Sequence, residues 1–178
     1  IPELLFGHLR TSENFDDSQT RIVGGLHGLG SSLTNIFSKK FIVDIRDSRQ
    51  KKRYYQVFEK NMSKKKEPVI KPSDKSDMVK ITFYPDFEKF GVDGFTDDMV
   101  ALMKKRVYDM SACTRWLSSL NKRPIKIKYN KADIEVKTFN DYMNLYIDEE
   151  LPRVFESVNE NWDVGICFSE TGFQQVSF

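Results

Sequence analysis

Residues 24–38 read Gly24-Gly25-Leu26-His27-Gly28-Leu29-Gly30-Ser31-Ser32-Leu33-Thr34-Asn35-Ile36-Phe37-Ser38, a glycine loop running straight into a helix. Gly24, Gly25, Gly28 and Gly30 are four of only nine glycines in the chain, and a residue without a Cβ lets backbone approach a ligand closely or take positive φ. Leu29, Leu33, Ile36 and Phe37 fall at i, i+4, i+7 and i+8, the apolar stripe of an amphipathic helix. Ser31 and Ser32 then occupy its first turn. Unpaired N–H groups and the positive end of a helix dipole behind a glycine loop form an anion site, and phosphate is the usual anion. The competing reading is a surface turn whose glycines serve geometry alone. Two familiar phosphate loops are excluded. The Walker form needs Gly-Lys-Ser/Thr, whereas Gly30 is followed by Ser31-Ser32. The dinucleotide fingerprint needs Gly-x-Gly-x-x-Gly after a long buried strand, whereas the order is Gly25-x-x-Gly28-x-Gly30 and only Ile22-Val23 precede it.

Upstream of the loop, Pro2 suits a first helical turn, and Leu4, Leu5, His8 and Leu9 follow at helical spacing, so a helix is expected to end near Arg10-Thr11 with His8 partly buried. Residues 11–20 are polar and short-chained, and with the glycine loop they read as a lid over 10–32. Downstream, Phe41, Val43 and Ile45 alternate along a strand, Arg46 to Arg53 make a charged turn, and Tyr54 to Phe58 return. A turn at Ser63 to Pro68, a short strand at Val69-Ile70 and an alternating strand at Val79 to Phe83 complete what reads as an antiparallel meander. Asp97-Asp98 open a helix with Met99, Leu102, Met103, Val107 and Met110 on one face, and Lys104, Lys105 and Arg106 toward its C-terminal half. A hairpin around Asn130-Lys131, a helix marked by Phe139, Tyr142, Met143, Tyr146 and Ile147, a strand over Trp162 to Phe168 and a terminal strand after Thr171-Gly172 follow.

The 178 residues suffice for one good core or one and a half small ones. A net charge of +2 demands no polyanion, and the lysine runs at 51–53 and 64–66 read as solvated turns. No apolar run approaches a membrane span and no signal-peptide pattern opens the chain, so a soluble, intracellular protein without a membrane partner is expected. Cys113 and Cys167 lie far apart without metal-ligand neighbours, the pattern of reduced thiols. Ile1 is not a methionine and residues 173–178 read as a strand cut short, so a piece of a larger protein is expected.

Together these stretches resemble the ATPase region of type IIA DNA topoisomerases. The resemblance is carried by Ile1 to Leu9 with Thr11 to Asp17, by Gly24 to Ser38, and by Ile81 to Phe90. It continues in Lys105 to Met110, in Phe139 to Tyr142 and in Gly172 to Phe178, in order over essentially the whole chain. It implies an α+β fold of the gyrase/chaperone/histidine-kinase ATPase type, a mixed sheet with helices on one face, incomplete at its N-terminus. Residues 1–137 would be the C-terminal part of the ATP-binding domain with its lid, and 138–178 the start of an α/β transducer domain. Ser12, Glu13 and Asn14 would touch the nucleotide, and Gly25, Leu26, His27, Gly28, Leu29, Gly30, Ser31 and Ser32 would wrap the triphosphate. ATP and Mg²⁺ are the implied cofactors, with double-stranded DNA and a second copy of the chain as partners. The location would be the nucleus in a eukaryote, or the host cytoplasm or virion for a virus.

The loop departs from the usual eukaryotic form. Leu26, His27 and Leu29 stand for its Arg, Asn and Tyr, and Ser31-Ser32 for its Ala-Lys, while Leu26-His27 looks like the bacterial gyrase loop. Losing that lysine removes a point charge but leaves the backbone amides. The water-activating glutamate and the Mg²⁺-holding asparagine of the family would lie upstream of Ile1, and the transducer lysine and DNA-cleaving tyrosine downstream of Phe178, so no catalytic residue and no metal ligand is assigned. Asp16, Asp17, Asp97 and Asp98 have sufficient structural reasons in a loop and at a helix start. The leading expectation is part of an ATP-dependent topoisomerase coupling ATP to dimer-gate closure and strand passage. The alternative is a catalytically inactive nucleotide-binding dimerisation module of the same fold. A mismatch-repair or chaperone ATPase would lack the Phe83-Tyr84-Pro85-Asp86 and Phe173 to Phe178 neighbourhoods.

Overall fold

A computed structural model of the chain describes all residues except 17, 19–24, 122–124, 160–161, 171 and 178, and for 115–121 the backbone only. It divides into two compact units, Ile1–Gly94 and Phe95–Phe178.

The first unit is built on an antiparallel sheet. Strand β1 (Ser38–Asp47) lies between β2 (Lys52–Glu59) and β5 (Met78–Pro85), and β2 also pairs with the short β3 (Lys64–Lys65) and β4 (Val69–Pro72). The expected meander is therefore corrected: β5 does not pair beside β4 but crosses to the free edge of β1. The reason lies in register. Phe41 faces Phe58 on one side and Phe83 on the other, and Val43 faces Gln56 and Ile81, so one continuous apolar row crosses three strands. Phe41, Val43 and Phe58 form the core cluster, with Phe6, Ile45, Tyr54 and Met62 packed against it.

Helix α1 (Pro2–Gly7) lies on this face. The Phe6 ring tilts against Phe41 at 6.2 Å, and Gly7 comes so close to the Phe58 ring that a Cβ there would stand 2.8 Å from it. Gln56, fully buried among apolar neighbours, is satisfied by donating to Glu3 at 2.8 Å and to the Lys66 carbonyl at 3.1 Å, and by accepting from Tyr54. Burial, with the Glu3 charge nearby, pushes the Tyr54 hydroxyl up to about 12. Hydrogen bonds from Lys65 and Gln56 hold Glu3 below the ordinary carboxylate range. The His8 side chain is exposed rather than partly buried.

Helix α2 (Gly30–Ile36) runs into β1 and is anchored at its C-terminal end. Ser38 donates to the Thr34 carbonyl at 2.6 Å, and Asn61 donates to Ile36 O and to Asp86 Oδ2, each at 3.0 Å. Asn61 can do so because Lys60, Asn61 and Met62 all take left-handed backbone, with φ of 53°, 57° and 64°. Their conformation costs about 1–2 kcal/mol per residue, offset in part by the backbone bonds from Lys60 to Lys39 O and from Asn61 to Ser38 O.

The second unit opens with α3 (Asp97–Asn121), whose first turn Thr96 caps by accepting from the Met99 amide at 3.2 Å. A tight hairpin follows, β6 (Lys128–Tyr129) and β7 (Ala132–Asp133), with Asn130 and Lys131 at φ of 48° and 72°, as a two-residue turn with matching twist requires. Helix α4 (Phe139–Met143) starts at a capping box formed by Thr138 and Asp141. The hairpin of β8 (Arg153–Asn159) and β9 (Trp162–Cys167) packs on α4 through Phe139 and Phe155, with ring centres 6.3 Å apart. At Gly165 a Cβ would stand 2.6 Å from Met143 Sδ.

Several expectations change in this unit. Met99, Leu102, Met103 and Met110 are exposed in this chain, whereas among the described side chains of α3 the buried ones are Asp109, Ser111 and Thr114. The helix runs on to Asn121, so Lys104 to Arg106 fall in its first half instead of toward its C-terminal half. Strand β8 was not anticipated, and residues 172–177 carry no regular structure. Among the described residues no helix is long and apolar enough to cross a membrane, and both cysteines are free thiols.

Candidate functional site: the glycine loop and the segment before it

The described part of the lid comprises residues 10–16, 18 and 25–32, with 17 and 19–24, Gly24 among them, outside the described residues. Its first half turns on Ser12, whose Oγ accepts from the Asn14 amide at 3.1 Å, a local turn that short hydroxyl side chains favour. Its second half turns on Gly28, at φ +62°. The two halves meet. A Cβ on Gly28 would stand 2.6 Å from the Thr11 carbonyl carbon and 2.7 Å from the Ser12 nitrogen, and Asn14 Nδ2 donates to the Gly25 carbonyl at 2.6 Å. Ser12, Asn14, Gly25 and Gly28, singled out from two separate stretches, are thus brought into one backbone cradle.

The other expected residues are distributed around it. Glu13, Gly25, His27 and Gly30 are exposed, and Leu26 and Leu29 half-buried. Leu29 is the N-cap of α2 and offers no side-chain acceptor, so no side-chain cap covers the amides of that first turn. This is an arrangement open to an anion from outside. The side chains of Ser31 and Ser32 point elsewhere. Ser31 donates to the Leu5 carbonyl at 3.0 Å, Ser32 donates to the His8 carbonyl, and Asn35 donates to the Phe6 carbonyl at 2.9 Å. All three serve the C-terminal end of α1, whose last carbonyls have no intrahelical partner. Their side chains therefore do not line the cradle, and only the Ser31 and Ser32 backbone amides can.

Sequence reasoning missed Thr11, which enters through backbone alone, and Asn35. The only signal for Asn35 is a polar residue of modest helix propensity inside a short helix. The apolar stripe assigned to α2 is only half covered, with Leu29 and Ile36 half-buried. Leu33 and Phe37 are exposed while Ser32 and Asn35 are fully buried, because the neighbour on that side is a helix end presenting carbonyls rather than an apolar surface. Among the described residues no group of three or more His, Cys, Asp or Glu could hold a metal ion.

Fold and sequence place the chain's relatives in one class, the ATPase region of the type IIA DNA topoisomerases. Within it the chain is a homologue of DNA topoisomerase 2. It is 45% identical over 187 aligned residues to DNA topoisomerase 2 of Arabidopsis thaliana, covering all of this chain and 12% of that protein. The solved ATPase region of Saccharomyces cerevisiae topoisomerase II superposes with a TM-score of 0.87 at 36% identity, covering all of this chain and 46% of that one. The ATPase and transducer domains of Balamuthia mandrillaris topoisomerase II give 0.80 at 35% identity over 93% of this chain and 41% of that one. No family model matches the chain. The chain thus spans about an eighth of the length of the curated relatives it matches, and less than half of the solved ATPase regions.

Proposed function

We propose that the chain forms the lid half of an ATP-binding domain and the start of a transducer domain in an ATP-driven type IIA topoisomerase. Mg²⁺-ATP would be held by Ser12, Glu13 and Asn14 and by the loop from Gly25 through Ser32, with Ser31 and Ser32 contributing backbone amides only. The observation that carries this reading is the contact of Gly28 with the Thr11–Ser12 backbone. It joins the two lid stretches that the family resemblance singled out independently. The open first turn of α2 supports an anion there. Electrostatic stabilisation of the phosphates is what such a cradle supplies. The described residues offer no carboxylate cluster for the metal, so the ion would arrive with the nucleotide and be completed by other parts of the protein. Nucleotide binding would drive closure of a homodimer gate and passage of one DNA duplex through another, in the nucleus of a eukaryotic cell. Residues 138–178 are proposed as the beginning of the transducer, supported by the capping box that starts a new helix at Thr138.

The test is relaxation of supercoiled plasmid by the full-length protein with Mg²⁺, with and without ATP, beside Gly28→Val. A valine at φ +62° with backbone 2.6 Å from its Cβ forces the two lid halves apart. The expected outcome is ATP-dependent relaxation in the parent protein and its loss in the variant. Nucleotide binding without any relaxation in the parent would instead establish the inactive dimerisation module, the reading that the altered Leu26, His27, Leu29 and Ser31-Ser32 positions favour.

A further inference from the structure

We infer that Ser32 and Asn35, with Ser31, are positioning residues that set the glycine loop in register through a polar clasp on α1. This deepens the nucleotide-binding reading and rests on it. Three side chains along α2 reach three carbonyls at the end of α1: Ser31 to Leu5, Asn35 to Phe6 and Ser32 to His8. Ser32 and Asn35 are fully buried, so neither hydroxyl nor amide is available to a ligand. Each is a fully buried polar side chain whose donor group finds its partner in an α1 carbonyl, so losing that partner leaves a buried donor unpaired, which makes the geometry of the clasp costly to change.

The clasp matters to the site because of what flanks it. Leaving α1, the chain reaches Thr11 and Ser12 three and four residues beyond His8; entering α2, it passes Gly28 two residues before Gly30. Locking α1 to α2 therefore fixes the spacing between the Thr11–Ser12 backbone and Gly28, whose tight approach defines the cradle. Helix α1 is itself held to the sheet through Glu3, which accepts from Gln56 and Lys65, and α2 is held at its other end by Ser38 and Asn61. The cradle of Thr11, Ser12 and Gly28 thus lies between two anchored helices joined by hydrogen bonds. The position where the eukaryotic loop carries a lysine carries in this chain a buried hydroxyl directed at α1.

The decisive variant is Asn35→Leu. It keeps the branched side-chain shape with somewhat greater bulk, removes the donor to Phe6 O, and changes a buried residue that no nucleotide can touch. Ser32→Ala tests the second strut and Ser31→Ala, nearer the surface, a third that is expected to fold in any case. Each is measured in the full-length protein for the KM and kcat of ATP hydrolysis, for direct binding of a non-hydrolysable ATP analogue, and for thermal stability. Tyr142→Phe, in the other compact unit, is the control for a general loss of stability. The expected result is an ATP KM and analogue Kd raised about five- to tenfold with kcat within about twofold, since a displaced cradle weakens ground-state and transition-state binding alike. The control should lose stability with KM unchanged. Asparagine-to-leucine and serine-to-alanine variants that lose stability as the control does, with KM and Kd unmoved, would overturn the clasp and leave it a structural contact. If the parent protein itself binds no analogue, the nucleotide reading fails instead, an outcome seen before any variant is compared.

Discussion

Asp109 shows how a single residue organises the second unit. Its buried carboxylate accepts from Lys105 Nζ at 2.9 and 3.0 Å and from the Tyr142 hydroxyl at 2.6 Å, and Tyr142 in turn meets the Tyr146 hydroxyl at 3.0 Å. Two stretches that carried the family resemblance, 105–110 and 139–142, therefore meet at one hydrogen-bonded node between α3 and α4. Burial acts to raise the Asp109 pKa, but hydrogen bonds from Tyr142 and Lys105 outweigh it and leave the carboxyl below its ordinary value. The hydrogen bond to Asp109 holds Lys105 above its ordinary value, and burial with the Asp109 contact pushes Tyr142 up. A depressed carboxylate stabilises the fold above its unfolded pKa of about 3.9 and loses that contribution as pH falls through the folded value. A raised lysine stabilises below about 10.4 and loses its contribution as pH rises through the folded value. Calorimetry on Asp109→Asn should show a loss of about 1–3 kcal/mol that is constant from about pH 5 to pH 9 and shrinks toward pH 3. A loss that grows on acidification would contradict the assignment. Tyr142→Phe should cost about 1–2 kcal/mol with little dependence on pH in that range.

At the scale of elements, α2 and α4 make opposite points about helix ends. Helix α4 is only five residues long, too short to persist by propensity. It exists because Thr138 accepts from the Asp141 amide at 3.1 Å while Asp141 accepts from the Thr138 amide at 2.8 Å, and because Tyr142 and Met143 are buried. Thr138→Ala should cost about 1 kcal/mol and raise amide exchange in α4 selectively. Unchanged exchange there would mean packing alone holds the helix. The residues of that box, Thr138 and Asp141, stand in the sequence at N-cap and N3 spacing. Helix α2 was legible as a helix but not in its orientation. Its apolar stripe suggested an inward face, and its partner, a helix terminus with free carbonyls, selected the Ser32 and Asn35 face instead. Nothing local to residues 24–38 encodes that partner.

At the scale of the whole molecule, the two compact units divide at Gly94 and Phe95, while the family resemblance set its boundary at 137 and 138. Cooperative opening distinguishes the two, because amides within one unit exchange together. Hydrogen exchange on the full-length protein should show α3 behaving with α4 and the β8–β9 hairpin, since Asp109 ties them. It should also show β1, paired on both sides, among the slowest amides of the first unit. If α3 instead exchanges in step with β1 and β2, the functional boundary lies nearer 137.

What the sequence determined by itself was local chemistry and family. The glycine loop, the alternation in β1, β5 and β9, the Asn130-Lys131 turn and the acidic start of α3 are each encoded within a dozen residues, where φ preference and side-chain period suffice. The conjunction of Thr11 to Asp17, Gly24 to Ser38 and Ile81 to Phe90 identified the family because the stretches recur together in order. Tertiary structure alone decided which strand borders β1, which face of α2 turns inward, and that Gly28 rests on Thr11 and Ser12. Each of these depends on groups far apart in the chain competing for the same apolar row, free carbonyl or backbone space, and no window of sequence contains both competitors.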